Sequence, residues 1–157
     1  MKMKAMILIV TLAVLGLVFI WWKIYKKLPK SLSQMVLGAP EWKIIFAVTL
    51  AIYGGASWFS FIDQMPENFQ WLLWLMEVGL ALVAVTPITN KDSIVAHTAA
   101  ALVAAMSITA LTAILNPWVL SMWLIYIIYT LVSDCTHKKL VAELVCGSVL
   151  TLLILIS

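Results

Sequence analysis

The residues able to do chemistry inside this chain are few: Glu77, His97, Asp134 and Glu143. Each falls in or beside a long apolar run, where an ionisable group is costly and marks a functional site by default. Glu77 sits in Trp71-Leu72-Leu73-Trp74-Leu75-Met76-Glu77-Val78-Gly79, near the middle of a run from Trp71 to Val85. At 1.5 Å per residue it lies roughly 12 Å from one end of that helix. His97 is about one turn inside the run Ile94 to Leu115, and Glu143 about one turn inside Leu140 to Ile156. Asp134 closes the run Trp118 to Val132. A polar cavity between helices would let these groups bind a lipid head group or pass a proton. The plainer account is that they are structural hydrogen-bonding groups or snorkel to the interface. That account has most force for His97 and Glu143, close to their helix ends. Glu77 is too deep to snorkel easily.

Much chemistry is missing. A His-rich zinc centre needs more histidines than His97 and His137, and there is no HExxH pattern. Ser31, Ser33, Ser57, Ser60 and Ser107 are hydroxyl candidates, but no serine sits in a G-x-S-x-G elbow. Two histidines are a weak signal for haem ligation. No P-loop and no dinucleotide fingerprint is present. No cofactor or metal is expected.

The elements that must position these residues are membrane helices. The chain has 157 residues, 64% hydrophobic and 11% charged, with mean hydropathy +1.09. A soluble fold of this size could not hide so much apolar side chain, so lipid is part of the solvent. The apolar runs are Ala5–Trp22, Ile44–Ile62, Trp71–Val85, Ile94–Leu115, Trp118–Val132 and Leu140–Ile156. Open strand edges cannot face lipid, so six such runs imply an all-α bundle of six transmembrane helices in a single domain, residues 1–157. The first run could be a signal peptide, but it is long for one and bulky Trp21-Trp22-Lys23 follows where small residues should mark cleavage. It is read as a retained helix.

All ten basic side chains are Lys. Without Arg, bidentate phosphate clamps and base-edge readout lose their usual donor, which argues against a nucleic-acid partner. The Lys are better explained by topology. Lys23, Lys26, Lys27, Lys30, Lys43, Lys91, Lys138 and Lys139 fall in loops on one side, against Lys2 and Lys4 on the other. The positive-inside rule then places those loops in the cytoplasm and both termini outside. Tryptophans near the run ends fit an aromatic belt.

Short connections make sequential helices antiparallel neighbours. The fourth run is rich in small residues, His97-Thr98-Ala99-Ala100-Ala101 onward, and suits close backbone approach. Gly54-Gly55-Ala56-Ser57 in the second run offers a matching thin surface, and a close pair of these two helices is expected. Cys135 and Cys146 are expected to be free thiols.

The run Leu28-Pro29-Lys30-Ser31-Leu32-Ser33, the stretch Gly79-Leu80-Ala81-Leu82-Val83-Ala84-Val85-Thr86-Pro87 and the opening His97-Thr98-Ala99-Ala100-Ala101 together resemble a group of bacterial membrane proteins. That group is remotely similar to the DRAM/Frag superfamily of six-helix proteins, which tends to carry an acidic residue early in its last helix, as Glu143 is here. The chain departs from the pattern at Gln34-Met35-Val36. The resemblance implies a six-helix fold in a bacterial inner membrane, and no activity.

Three functional readings fit these residues. The leading one is a protein that binds or moves a lipid or small amphiphile through an inward-facing polar pocket, with membrane lipids as partners. The second is a membrane-embedded lipid-modifying enzyme using His97 and a carboxylate as acid and base. The third is a structural or effector subunit that forms a homo-oligomer through small-residue helix faces.

Overall fold

The computed structural model describes residues 2–35, 40–86, 91–132 and 137–157, side chains at 2, 3, 34, 40, 41 and 91 apart. The candidate Asp134, and Cys135 and Pro87 with it, lie outside the described residues. The architecture is all-α, with no strand among the described residues. The principal helices are α1 (Lys2–Tyr25), α2 (Pro40–Phe61), α3 (Trp71–Val85), α4 (Lys91–Leu115), α5 (Trp123–Val132) and α6 (Lys138–Ile156). A one-turn helix, Leu32–Met35, lies between α1 and α2.

Five of these segments are long and apolar enough to cross a membrane, and Pro117–Val132 is shorter. The fifth run therefore differs from expectation: Pro117–Met122 is a 3₁₀ helix and only Trp123–Val132 is α. Pro117 has no N–H to give and fits the first turn of a helix. The 3₁₀ turns rise about 2.0 Å per residue against 1.5 Å in an α-helix, so the segment reaches further than its residue count implies.

Neighbouring helices run antiparallel. Lys4 Nζ near the start of α1 donates to the Leu155 carbonyl near the end of α6, at 3.0 Å. Both termini therefore lie at one end of the bundle. The rings of Trp21 and Trp42 meet edge-on across α1 and α2, and those of Trp58 and Trp74 across α2 and α3. Leu12, Phe59, Trp74, Met106, Ile128 and Leu131 are exposed, the inverse of a soluble surface and what lipid-facing helices require.

The most extensive helix pair is α3 with α4, followed by α2 with α3. Gly79 explains the first. A Cβ there would lie 2.8 Å from the Ala104 backbone nitrogen and 3.1 Å from the Ala100 carbonyl oxygen, so only glycine allows this approach. Ala100 and Ala104 are buried against it. The expected close pair of α2 and α4 is not formed. The thin surface of α2 meets α3 instead, because Gly54 makes room for the Glu77 carboxyl. Two small-residue surfaces were compatible, and the short turn between α2 and α3 decides which partner is near.

The solid core lies towards the end that carries the termini. Ile7, Phe61, Leu73, Met76, Leu111, Leu150, Leu153 and Ile154 are fully buried there in one cluster. The opposite end is built differently, and it holds the site.

Candidate functional site

The connection after α1 is the piece that assembles the site. Lys26 ends the helix in the left-handed region at φ 54° and donates its N–H to the Trp22 carbonyl at 2.8 Å. A non-glycine residue accepts that conformation at a cost, so contacts made by Pro29 and Lys30 must hold the turn. Pro29 is fully buried, and its carbonyl accepts from His137 Nδ1 at 3.1 Å. The Lys30 carbonyl accepts from the Leu140 N–H at 3.1 Å. Leu140 is in the first turn of α6, where backbone N–H groups have no partner of their own helix. Residues 28–33 thus form a strap across the start of α6. The strap is where Ser33 comes from.

Ser33 is buried and stands between the two ionisable candidates. Its hydroxyl donates to Glu143 Oε1 at 3.2 Å. Its oxygen meets His97 Nε2 at 2.9 Å. The second carboxyl oxygen of Glu143 accepts the Leu32 N–H in a short hydrogen bond. His97 Nδ1 is buried and makes no hydrogen bond of ordinary geometry, although the Thr86 backbone approaches the ring. Lys139 adds a positive charge beside both His97 and Glu143. One hydrogen-bonded chain therefore joins α4, the strap and α6.

The cluster closes one end of a cavity of about 590 Å³. Ser33, His97, Lys139 and Glu143 line that end, and the other walls are mainly apolar side chains of α1, α2, α4 and α6. Ile45 and Phe46 of α2 face it, as do Ala101, Leu102 and Ala105 of α4. This space is what separates α2 from α4. Leu15, Ile45, Ile94 and Leu102 are lining residues that are also exposed, so the cavity opens through the apolar flank of the bundle. A volume of this size is ordinary for a small-molecule site.

Glu77 stands apart. It does not line the cavity. Its carboxyl lies against Gly54, where a Cβ would overlap Oε2 and come within 3.1 Å of the carboxyl carbon. Its other oxygen, Oε1, is buried without a hydrogen-bond partner. The structure joins His97 and Glu143 and leaves Glu77 outside their network.

Sequence reasoning missed four contributors. Ser33 is one loop serine among several, and the departure at Gln34-Met35-Val36 draws weight away from its loop. Tyr53, Thr11 and Thr151 form a hydroxyl cluster from α2, α1 and α6. Hydroxyls of this kind are common in membrane helices, where a carbonyl of the same helix usually satisfies them, so type and spacing give no signal.

Comparison with protein-family models, with curated proteins and with solved structures finds no match for this chain. Its role must be argued from the site.

Proposed function

We propose that the protein binds a lipid-like amphiphile taken from the bilayer. The polar head lies at Ser33, His97 and Glu143, and the chain lies in the cavity between α1, α2, α4 and α6. One observation carries this reading: the ionisable groups His97, Lys139 and Glu143 gather at one end of a mainly apolar cavity whose flank opens where lipid would be. Apolar walls favour an alkyl chain, and a few convergent polar groups fix its orientation. The lysines support placing the polar end at the cytoplasmic face, with both termini outside.

Filling the cavity tests the reading without touching the polar cluster. Ala105→Trp should abolish binding of a nitroxide-labelled fatty alcohol, read by tryptophan quenching in nanodiscs. His97→Ala should weaken it. Undiminished binding by Ala105→Trp refutes the reading.

A second reading is acyl transfer with Ser33 as nucleophile and His97 as base. It is favoured by the 2.9 Å contact between Ser33 Oγ and His97 Nε2. It ranks second because the carboxylate holds the serine, whereas a hydrolytic triad places its acid on the histidine. A lipid fluorophosphonate that leaves Ser33 unmodified by mass would remove it. Ala100 and Ala104 of α4 pack against Gly79 within the chain, so the third reading would have to use the small residues of α4 that stay exposed, Ala96 and Ala99.

A further inference from the structure

The hydroxyl cluster of Thr11, Tyr53 and Thr151 is short of hydrogens. Thr11 Oγ1 contacts Tyr53 Oη at 2.5 Å and Thr151 Oγ1 at 2.9 Å. Tyr53 Oη contacts Thr151 Oγ1 at 3.1 Å. Thr11 also reaches the Ile7 carbonyl and Thr151 the Gly147 carbonyl, each at 2.8 Å. Those are five oxygen–oxygen contacts, and each hydroxyl brings one hydrogen. Whichever way the hydroxyls rotate, two contacts lack a hydrogen. The cluster can accept from outside and has nothing left to donate. Tyr53 and Thr151 are buried, so bulk water does not make good the deficit.

Tyr53 and Thr11 line the same cavity as Ser33, His97 and Glu143. Glu143 and Thr151 are eight residues apart on α6, which sets the two polar stations about 12 Å apart along the helix. We infer that Tyr53 and Thr11 form a second ligand contact, which selects amphiphiles carrying a hydroxyl or amide N–H about 12 Å down the chain from the head group. The inference rests on the amphiphile-binding reading above and adds the ligand's chemistry. An unsubstituted alkyl chain would leave the cluster's deficit in place. A mid-chain donor would give its hydrogen to a hydroxyl lone pair that the cluster leaves unused.

The test compares three probes of known structure by native mass spectrometry of the full chain in detergent. Octadecane-1,10-diol has its second hydroxyl near the required depth. Octadecane-1,2-diol has the same polarity with the hydroxyl at the head. 1-Octadecanol has no second hydroxyl. The 1,10-diol should bind about tenfold more tightly than either of the others, the effect of one buried hydrogen bond. Tyr53→Phe should reduce that preference, and Tyr53→Phe with Thr11→Val should abolish it, read as the ratio of 1,10-diol to 1,2-diol binding within each variant. Equal binding of the two diols by the unaltered chain overturns the second contact but leaves amphiphile binding standing. Failure of all three probes to bind overturns both. A preference that persists in the double variant also overturns it, because the selectivity would then lie elsewhere.

Discussion

The two ends of the bundle solve different problems. At the end that carries the termini, Phe61, Leu73, Leu111 and Leu153 are fully buried between the helices. At the other end α2 and α4 stand apart, and a cavity with its ionisable groups at one end lies between them. In lipid, helices gain little from hiding apolar surface, since the tails are as apolar as leucine. Close packing must therefore come from dispersion contacts and small residues, and the solid end supplies both. The hollow end forgoes that packing. It is held by polar links instead: the strap, the Pro29 and Lys30 carbonyls, and Glu143. The difference teaches where function can sit, because a space kept open at some expense in packing has a use for whatever enters it.

The contrast is sharpest under truncation. Phe61→Ala removes a fully buried ring at the solid end and should destabilise the bundle by about 3–5 kcal/mol. Reversible unfolding in mixed micelles measures it. Amphiphile binding at the hollow end should survive whenever the variant folds. A cost below about 1 kcal/mol would mean that this end is not the packed anchor the burial indicates.

Glu143→Ala attacks the hollow end. It leaves the Leu32 N–H and the Ser33 hydroxyl without their acceptor and should cost about 2–3 kcal/mol. It should also free the strap, so amide exchange at Leu32 and Leu140 should accelerate together. Accelerated exchange at Leu32 alone would show that the Lys30 carbonyl holds the strap without help from the carboxylate.

Legibility in the sequence divides along similar lines. Six apolar runs and their antiparallel order were legible, because each depends on local composition and on short connections. The meeting of His97 and Glu143 was legible in part, since both lie one turn inside helices that start at the same end. Ser33 was not. Its place depends on Lys30 accepting from Leu140, a bond between residues far apart in the chain. The partner of Gly54 was misjudged for a related reason: a thin surface says that something comes close, and only the tertiary arrangement says what. Glu77 was grouped with the others by depth and charge, and the structure separates it because the cavity meets α3 at Leu80 and Val83 and not at Glu77.

Between the two ends, the glycines of α2 and α3 test how rigid the bundle is. At Gly79 a Cβ would meet the backbone of α4, and at Gly54 it would meet the tip of the Glu77 side chain. Backbone yields less than a side chain. Gly79→Ala should therefore cost about 2–3 kcal/mol and Gly54→Ala about 1 kcal/mol. Adding Glu77→Ala to Gly54→Ala should recover most of the smaller loss, and a double-mutant cycle reads the coupling. Additive effects would mean that the carboxyl moves aside freely.

The smallest expected effect has the opposite sign and bears most directly on the comparison. Ala101 faces the cavity from α4. Ala101→Leu adds side chain to an open space and not to a packed one, so the usual strain of a larger residue is absent. It gains dispersion contacts that the cavity walls now lack. The bundle should become more stable by up to about 1 kcal/mol, while amphiphile binding weakens. A stabilised, non-binding variant would show that the space is kept open for a ligand against the interest of packing. Destabilisation would show that the cavity walls close up in the membrane, and the hollow end would then differ from the solid end less than its geometry implies.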